Sequence, residues 1–561
     1  MPNFIETIFA QMKAAEGRVI LRELRESQFL SVTGGELLER IQVVRNYLKT
    51  AGVQAGDRCA LLGPNSISWV AIDLALLAEG VITVPLYFRQ APADLVGMLK
   101  DSQPKLLVVN DAAAGECVGE AWSDAPRTIT FEEIFKAKPS AAGASDPISR
   151  PGSDIVTIIY TSGTSGEPKG VCLTVDNLSH MVSCTTERLD QLMNQSGNRS
   201  PDSVFHYLPM NFAASWLLML SCVSGETTLT FSTDLNKLAD EIVQASPHYF
   251  LNVPTLLERV RRGVEAALAK RPRPIRSIFR RAVKAWQRKS AKRGWNDSFW
   301  LFLGQTLIFG KIRERFGRNL VALICGSAPL APETQQFFLM LNIPVLQAYG
   351  LTETTGICTL DDPRVPVQPG CVGYAVAGTE MKLTENQEIV VRGPHIFPGY
   401  WNRPEETARV LRNGWFHTGD QGESNEKGNW RIVGRIKNLI ILNSGHNIAP
   451  EPIEERISAL IPAAQHAVVV GNGRGYLTLL VSGKVESGTV EAALDKINSE
   501  LPHYRQIRKS TVVPEAFTPE NGLLTANGKL RREAISSRYA VQITAMYEAQ
   551  LSPAVAKGKT A

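Results

Sequence analysis

Between residues 30 and 110 the apolar residues repeatedly change their spacing, and that alternation restricts the chain to few architectures. Leu37, Leu38, Ile41, Val44 and Leu48 recur at helical spacing, and Gly52 with Gly56-Asp57 supplies turn chemistry at the end of that helix. Cys59 to Leu62 then predicts a strand, Ile67 to Leu77 a helix, Val81 to Pro85 a strand, Ala93 to Lys100 a helix and Leu106 to Val109 a strand. Parallel strands need a long crossover, which a helix supplies, so this series predicts a largely parallel sheet covered by helices. A second strand and helix series runs through Val204 to Pro209, Thr227 to Phe231, Leu235 to Gln244 and Tyr249 to Asn252. Residues 370–435 switch to short strands and glycine turns, a β-rich subdomain, and residues 439–540 predict a small α+β domain.

The chain has 561 residues, more than one core can organise, and its 44% hydrophobic and 20% charged content is that of a globular protein. Its eight cysteines are scattered without a C-x-x-C pair, which predicts small buried residues in a reducing compartment rather than disulfides or zinc ligands. Residues 1–17 carry Glu6 and Glu16 and no apolar core, and no apolar stretch reaches the 20 or so residues that span a bilayer. The expectation is a cytoplasmic protein, with a disordered tail over 541–561.

Charge is unevenly placed. Residues 261–318 hold seventeen Lys/Arg against Glu265, Asp297 and Glu314, while the net charge of the whole chain is only +5. Within 270–293, Ile275, Ile278, Phe279, Ala282, Val283 and Trp286 fall on one helix face with cations around it. Such a helix can rest on an anionic membrane, or pack its stripe on its own protein; nucleic acid is not expected, because no nucleic-acid motif accompanies it.

The chemistry concentrates where strands end. Ile155 to Ile159 reads as a buried strand, and it runs into Tyr160-Thr161-Ser162-Gly163-Thr164-Ser165-Gly166-Glu167-Pro168-Lys169-Gly170-Val171. Glycines let backbone N–H groups approach an anion, hydroxyls add compact donors, and Lys169 adds a point charge, so this loop suits phosphate better than a flexible linker would. It is not a Walker loop, since the spacing from Gly163 to Lys169 is wrong and no hydroxyl follows the lysine. Two further strands end in Cys325-Gly326-Ser327-Ala328 and in Tyr349-Gly350-Leu351-Thr352-Glu353. Ligands of open α/β sheets bind outside the carboxyl ends of strands, which would bring these tips together. Tyr349 offers a flat face for a base, Thr352 a hydroxyl, and Glu353 either a hard oxygen ligand for Mg2+ or an ordinary helix-terminal charge. Asp420 is either a turn former or an acceptor for two ribose hydroxyls, and Lys529 follows a glycine on a loop. Asn211 to Cys222, with Trp216 inside it, reads as core packing when each residue is taken alone.

Taken in order, Tyr160 to Val171, Tyr349 to Glu353, Thr418-Gly419-Asp420, Gly434-Arg435 and Gly528-Lys529 resemble the successive motifs of the adenylate-forming superfamily of acyl-CoA synthetases, luciferases and peptide-synthetase adenylation domains. The resemblance covers nearly the whole chain. It implies an α/β fold, with a large multi-lobed N-terminal domain over 1–436 and a small mobile α+β domain over 437–540. It implies ATP, Mg2+ and coenzyme A as reactants. By the same resemblance Thr161, Ser162, Gly163, Thr164, Ser165 and Lys169 would hold the ATP phosphates, and Gly326, Ser327, Ala328, Tyr349 and Gly350 would border the adenine and the carboxylate. Thr352 would touch the α-phosphate, Glu353 would hold Mg2+, Asp420 and Arg435 would take the ribose, and Lys529 would act at the reacting phosphate. Lys437 stands at the family's hinge and Gly445 at its pantetheine turn.

Within the superfamily, the basic insertion at 261–318 and Asn447 to Glu454 are most similar to long-chain fatty acyl-CoA synthetases, which implies a fatty acid substrate and a peripheral membrane contact through 270–293. Phe212 departs from the pattern by standing where relatives often have histidine, and Phe212 and Trp216 are the candidate residues of the acyl pocket. Two other readings remain open at this stage: a fatty acyl-AMP ligase that serves a carrier protein, and a silent acyl- or nucleotide-binding protein.

Overall fold

The computed structural model describes residues 3–26, 28–136, 146–162, 168–197, 201–288, 294–525 and 528–548. The chain forms two compact units, one of Met1–Thr384, Ile389–Thr418 and Glu423–Arg431, the other of Glu385–Glu388, Gly419–Gly422 and Ile432–Ala561.

The first unit contains two large sheets. In the seven-stranded sheet, Arg127–Thr130, Leu106–Val109, Arg58–Leu62, Ile82–Leu86 and Ile155–Ser162 run parallel, and Pro168–Thr174 and Gly399–Tyr400 add antiparallel strands at one side. In the nine-stranded sheet, Val19–Arg25, Thr228–Phe231, Ser203–His206, Tyr249–Asn252, Ala322–Cys325 and Val345–Tyr349 form the parallel centre. The expected α/β class holds, and the strand boundaries read from the sequence shift by up to three residues. Sequence reading did not find the hairpin Val19–Arg25 and Gln28–Thr33, which closes one edge of the larger sheet.

Two helices form the centre of this unit. Ile67–Ala78 buries eleven of its twelve residues and Ala213–Val223 buries ten of eleven. A helix that is apolar all round must be enclosed on every side. Both belong to a core that also takes Leu61 and Val156 from one sheet and Leu229 and Ile324 from the other. The one acidic side chain in this layer is Asp73, fully buried, and the indole Nε1 of Trp216 donates to its Oδ2 at 2.7 Å. That bond ties the two helices together across 143 residues of sequence.

The second unit has its own core. Its sheet of His466–Val470, Leu477–Ser482 and Ile507–Val513 carries Glu451–Leu460 and Ser487–Asn498, with Ile453, Ile457, Leu479 and Ile497 packed between.

The basic segment resolves one alternative directly. Arg273–Gln287 is a helix, and its stripe of Ile275, Ile278, Phe279, Val283 and Trp286 packs against a core that includes Phe309, Phe316, Phe338 and Leu323. The stripe covers its own protein and is not the surface a membrane would meet. Among the described residues no helix is long and apolar enough to cross a membrane.

Two expectations follow from this packing. Phe279→Ala with Trp286→Ala removes two half-buried rings, so the double variant should lose about 2–4 kcal/mol in urea unfolding; unchanged stability would place both rings outside the core. The second concerns Asp73, whose carboxyl burial pushes up to about 7 although the Trp216 bond acts the other way. An unfolded Asp ionises near 3.9. Between that value and about 7 the folded chain therefore keeps a proton that the unfolded chain releases, and stability falls as pH rises. Asp73→Asn keeps an acceptor for Trp216 and removes this titration. Relative to wild type, the variant should gain roughly 2 kcal/mol between pH 5 and pH 8, whereas a pH-independent difference would mean that Asp73 is ionised in the fold.

Candidate functional site

The phosphate-loop stretch is a β-hairpin. Ile155–Ser162 and Pro168–Thr174 pair antiparallel, with Thr161 opposite Lys169 and Ser162 opposite Pro168. Pro168-Lys169-Gly170, part of the expected loop, is thus the start of a strand. Gly163, Thr164 and Ser165 lie outside the described residues, as does the side chain of Ser162. The hairpin is fixed from behind by the Tyr160 hydroxyl, which donates to Asp101 at 2.7 Å.

Lys169 does not stand alone on this hairpin. Its ammonium pairs with the Glu406 carboxylate and lies 5.4 Å from the centroid of the Tyr400 ring. The Tyr400 hydroxyl in turn donates to Glu353 Oε1 at 2.8 Å. Three separate stretches supply this group. Tyr400 is placed by the antiparallel pairing of Gly399–Tyr400 with Val171 and Cys172, and Glu406 comes from the helix Pro404–Val410. Glu353 sits in the turn Thr352–Thr354, where its carbonyl accepts from Phe397 N at 2.9 Å. Sequence reading named Lys169 and Glu353 separately and missed Tyr400 and Glu406.

The two other strand ends emerge side by side. Ala322–Cys325 and Val345–Tyr349 are parallel neighbours, so Gly326-Ser327-Ala328 and Tyr349-Gly350-Leu351-Thr352-Glu353 leave the same edge of the sheet. Gly350 is required there: a Cβ would collide with Gly356 O and lie 2.6 Å from Ile357 Cα. Ser327 takes φ +76°, a left-handed conformation that costs a non-glycine residue about 1–3 kcal/mol and concentrates at functional sites. Ser327 and Ala328 are exposed, while Tyr349, Thr352 and Glu353 are half-buried.

Phe212 stands at the N-cap of Ala213–Val223 and is half-buried. A Cβ on Gly356 would lie 3.2 Å from Ala214 N, so the start of this helix abuts the turn that carries Glu353. Trp216, one turn further in, is 1% exposed and is the partner of Asp73.

The second unit contains the remaining candidates. Asp420 is buried, and Arg435 Nε binds its Oδ1 at 2.7 Å, an arrangement that aims the carboxylate. Lys437 lies in the 3-10 turn Ile436–Asn438, where Asn438 Nδ2 donates to Glu451 at 2.6 Å. Gly445 has φ +80° in the turn between Ile440–Ile441 and Asn447–Ile448, with open space where a Cβ would be. Lys529 is exposed at the end of a tight turn closed by Thr525 N to Lys529 O at 2.8 Å and Gly528 N to Thr525 O at 2.8 Å. Three residues on, Arg532 grips Glu454 with two bonds of 2.8 and 2.5 Å, and Glu454 also accepts from Val469 N at 2.7 Å. The lysine turn is thereby anchored to the sheet of its own unit.

Among the described residues no cluster of three His, Cys, Asp or Glu side chains is arranged to hold a metal. Glu353 is a single, half-buried carboxylate, which fits an ion that takes most of its ligands from phosphate and water, as Mg2+ does.

Comparison with known proteins extends these observations. The family model described as AMP-binding enzyme matches residues 9–401, and that described as AMP-binding enzyme C-terminal domain matches residues 437–551. The long-chain-fatty-acid–CoA ligase FadD15 of Mycobacterium bovis is 27% identical over 97% of each chain. The putative fatty-acid–CoA ligase fadD11 of Mycobacterium tuberculosis is 30% identical over 72% of this chain and 75% of its own, and the long chain acyl-CoA synthetase 1 of Arabidopsis thaliana is 28% identical over 91% and 87%. Among solved structures, the A domain of carboxylic acid reductase from Segniliparus rugosus, in complex with AMP and a co-purified carboxylic acid, superposes with a TM-score of 0.76 at 21% identity, covering 98% and 94% of the two chains. The o-succinylbenzoate CoA synthetase of Bacillus subtilis, in complex with its acyl-adenylate intermediate OSB-AMP, gives 0.74 at 21% identity over 95% and 98%. At that identity the two structures share the fold with this chain.

Proposed function

The chain belongs to the AMP-binding enzyme family, and we propose that it activates a medium- or long-chain fatty acid with ATP and transfers the acyl group to coenzyme A. The observation that carries this reading is the meeting of Lys169 and Glu353 on either side of Tyr400, beside the strand ends that present Tyr349 and Thr352. A cation for phosphate oxygens and a carboxylate for the accompanying ion stand together there. The end-to-end likeness to proteins named long-chain-fatty-acid–CoA ligases supports the acyl substrate.

In the first half-reaction the fatty carboxylate attacks the α-phosphorus of ATP, the bond to the bridging oxygen breaks, and pyrophosphate leaves with acyl-AMP formed. Thr161, Ser162, Gly163, Thr164, Ser165 and Lys169 would hold the departing phosphates. Lys169 already has a carboxylate partner, so the γ-phosphate would take the place of Glu406. Mg2+, held by Glu353 and phosphate oxygens, would offset the charge of the triphosphate. Tyr349 and Gly350, with Gly326, Ser327 and Ala328, would border adenine and the carboxylate. Thr352 would contact the α-phosphate, and Asp420, aimed by Arg435, would accept from the ribose hydroxyls. Lys529 would stabilise the negative charge that grows on the α-phosphate and the attacking oxygen. In the second half-reaction the thiol of coenzyme A attacks the acyl carbonyl and AMP leaves. A turn of the small domain about Lys437 would exchange Lys529 for the Gly445 turn between the two. Phe212, at the helix start beside the Glu353 turn, would line the acyl entrance, with Trp216 deeper along the same helix.

Purified protein with ATP, Mg2+, coenzyme A and palmitate should release AMP and pyrophosphate in equal amounts, and failure across acids from acetate to oleate would sink the proposal. Acyl-AMP that accumulates without thioester would instead assign the acceptor to a carrier protein. Lys529→Ala should lower adenylate formation about a hundredfold or more, while supplied acyl-AMP is still converted to thioester; equal loss of both steps would reject its role. Glu406→Gln should lower the KM for ATP several-fold at low salt with kcat little changed, and an unchanged KM would show that Glu406 does not compete with phosphate.

A further inference from the structure

The turn that carries Glu353 contains a backbone outlier. Thr355 takes φ +52° and ψ +33° and is 1% exposed. Left-handed backbone is uncommon outside glycine, and the branched side chain of threonine makes it more unfavourable still. Such a conformation persists where its surroundings enforce it, and it concentrates at functional sites. Gly356, the next residue, has φ +99°, and its N–H closes the turn on Leu351 O at 2.9 Å.

The Thr355 hydroxyl anchors this strained residue by donating to His395 O at 2.7 Å in the interior. The carbonyls on either side of His395 are held in the same way. Asn177 Nδ2 donates to Pro394 O at 2.7 Å and to Ile396 O at 3.0 Å. Three consecutive carbonyls of an irregular segment thus accept from side chains that lie far away in sequence. Asn177 itself is 5% exposed, and its Oδ1 accepts from Thr174 N at 3.1 Å, which fixes the direction of the amide.

The segment held by these bonds is the one that sets Glu353. Phe397 N donates to Glu353 O at 2.9 Å, and the Tyr400 hydroxyl donates to Glu353 Oε1 at 2.8 Å. Backbone and carboxylate of Glu353 are therefore both directed by residues 394–400. Asn177 lies in the first turn of the helix Val175–Ser196, directly after the strand Pro168–Thr174 that carries Lys169. One amide ties the strand of the cation to the segment that aims the carboxylate, and Thr355 ties that segment to the Glu353 turn.

We propose that Thr355 and Asn177 are positioning residues for the metal ion, holding residues 394–396 so that the Glu353 carboxylate keeps one direction. They act through Glu353 rather than on the reactants. This role rests on the ion-holding role proposed for Glu353 and adds two residues to it. Groups that orient a metal-bound side chain change metal affinity by about 10–100-fold when they are removed.

The test is titration calorimetry of ATP binding to the full-length protein over a series of Mg2+ concentrations, with the Tm of each variant. Glu353→Gln supplies the reference shift. Thr355→Val removes the donor and keeps the branched shape, while Asn177→Asp keeps the oxygen that faces Thr174 N and removes both donors. Each should raise the Mg2+ concentration for half-maximal ATP binding about tenfold, and saturating Mg2+ should restore the affinity for ATP. Thr355→Ser keeps the hydroxyl and should need no more Mg2+ than wild type. Should Thr355→Val fail to fold, Thr355→Ser and Asn177→Asp decide the matter. A requirement that moves in Glu353→Gln but stays at the wild-type value in either folded donor-less variant overturns the proposal and leaves the proposed function standing. A lowered Tm with an unchanged Mg2+ requirement makes the two residues structural and also overturns it. Shifts in both variants of a protein that turns over no acid from acetate to oleate support the positioning while rejecting fatty acid activation. If Glu353→Gln itself shifts nothing, the ion is not held there, and the positioning role falls with that assignment.

Discussion

Parallel pairing of Ala322–Cys325 with Val345–Tyr349 is the constraint on which the candidate site depends. Parallel neighbours end at the same edge, so residues more than twenty positions apart in sequence leave the sheet together. The turns that follow are then constrained by local sterics. Gly350 is admitted where no side chain fits, Thr354 Oγ1 accepts from Leu351 N at 2.9 Å, and Glu353 is turned toward Tyr400. The left-handed Ser327 shows the same influence, because an unfavourable backbone conformation persists only where its surroundings enforce it.

The charges around Tyr400 are already matched. Lys169 is matched by Glu406, and Glu353 receives the Tyr400 hydroxyl. Under the proposed function, a polyanion arriving here would meet a cation that already has a partner, so its affinity would be a difference between two ion pairs. Selectivity for a highly charged ligand would follow from that difference, since a weak anion gains little by displacing a carboxylate of similar strength. In the second unit, Arg435 on Asp420 and Arg532 on Glu454 have another purpose: each holds a group in one orientation close to a glycine turn.

Much of this was legible in the sequence because it is local. Strand and helix alternation over 58–109 depends on spacing within short windows, and the glycine and hydroxyl tips are contiguous motifs. What escaped was relational. Tyr400 and Glu406 meet Lys169 across more than 230 residues, and nothing in Gly399 to Glu406 indicates that partner. The amphipathic stripe of the basic helix was visible, but its pattern is the same whether a membrane or a core covers it, and Phe309, Phe316 and Phe338 decided the matter. The exposed rings at Trp295, Phe299 and Phe302 were hidden for the opposite reason, since a short apolar segment reads as core until its solvent exposure is known. Trp216 was read both as core and as pocket lining, and its bond to Asp73 gives it a structural place in the interior.

The enclosed helix Ile67–Ala78 also has a history during synthesis. It leaves the ribosome 143 residues ahead of its hydrogen-bond partner Trp216, Asp73 to indole. At ordinary elongation rates of 5–20 residues per second that interval is roughly 7–30 s. For that time a helix without a polar face lacks Ala213–Val223 and the later strands of the core that will enclose it. Slower translation lengthens the time for which the apolar faces of Ile67–Ala78 stay uncovered on the nascent chain.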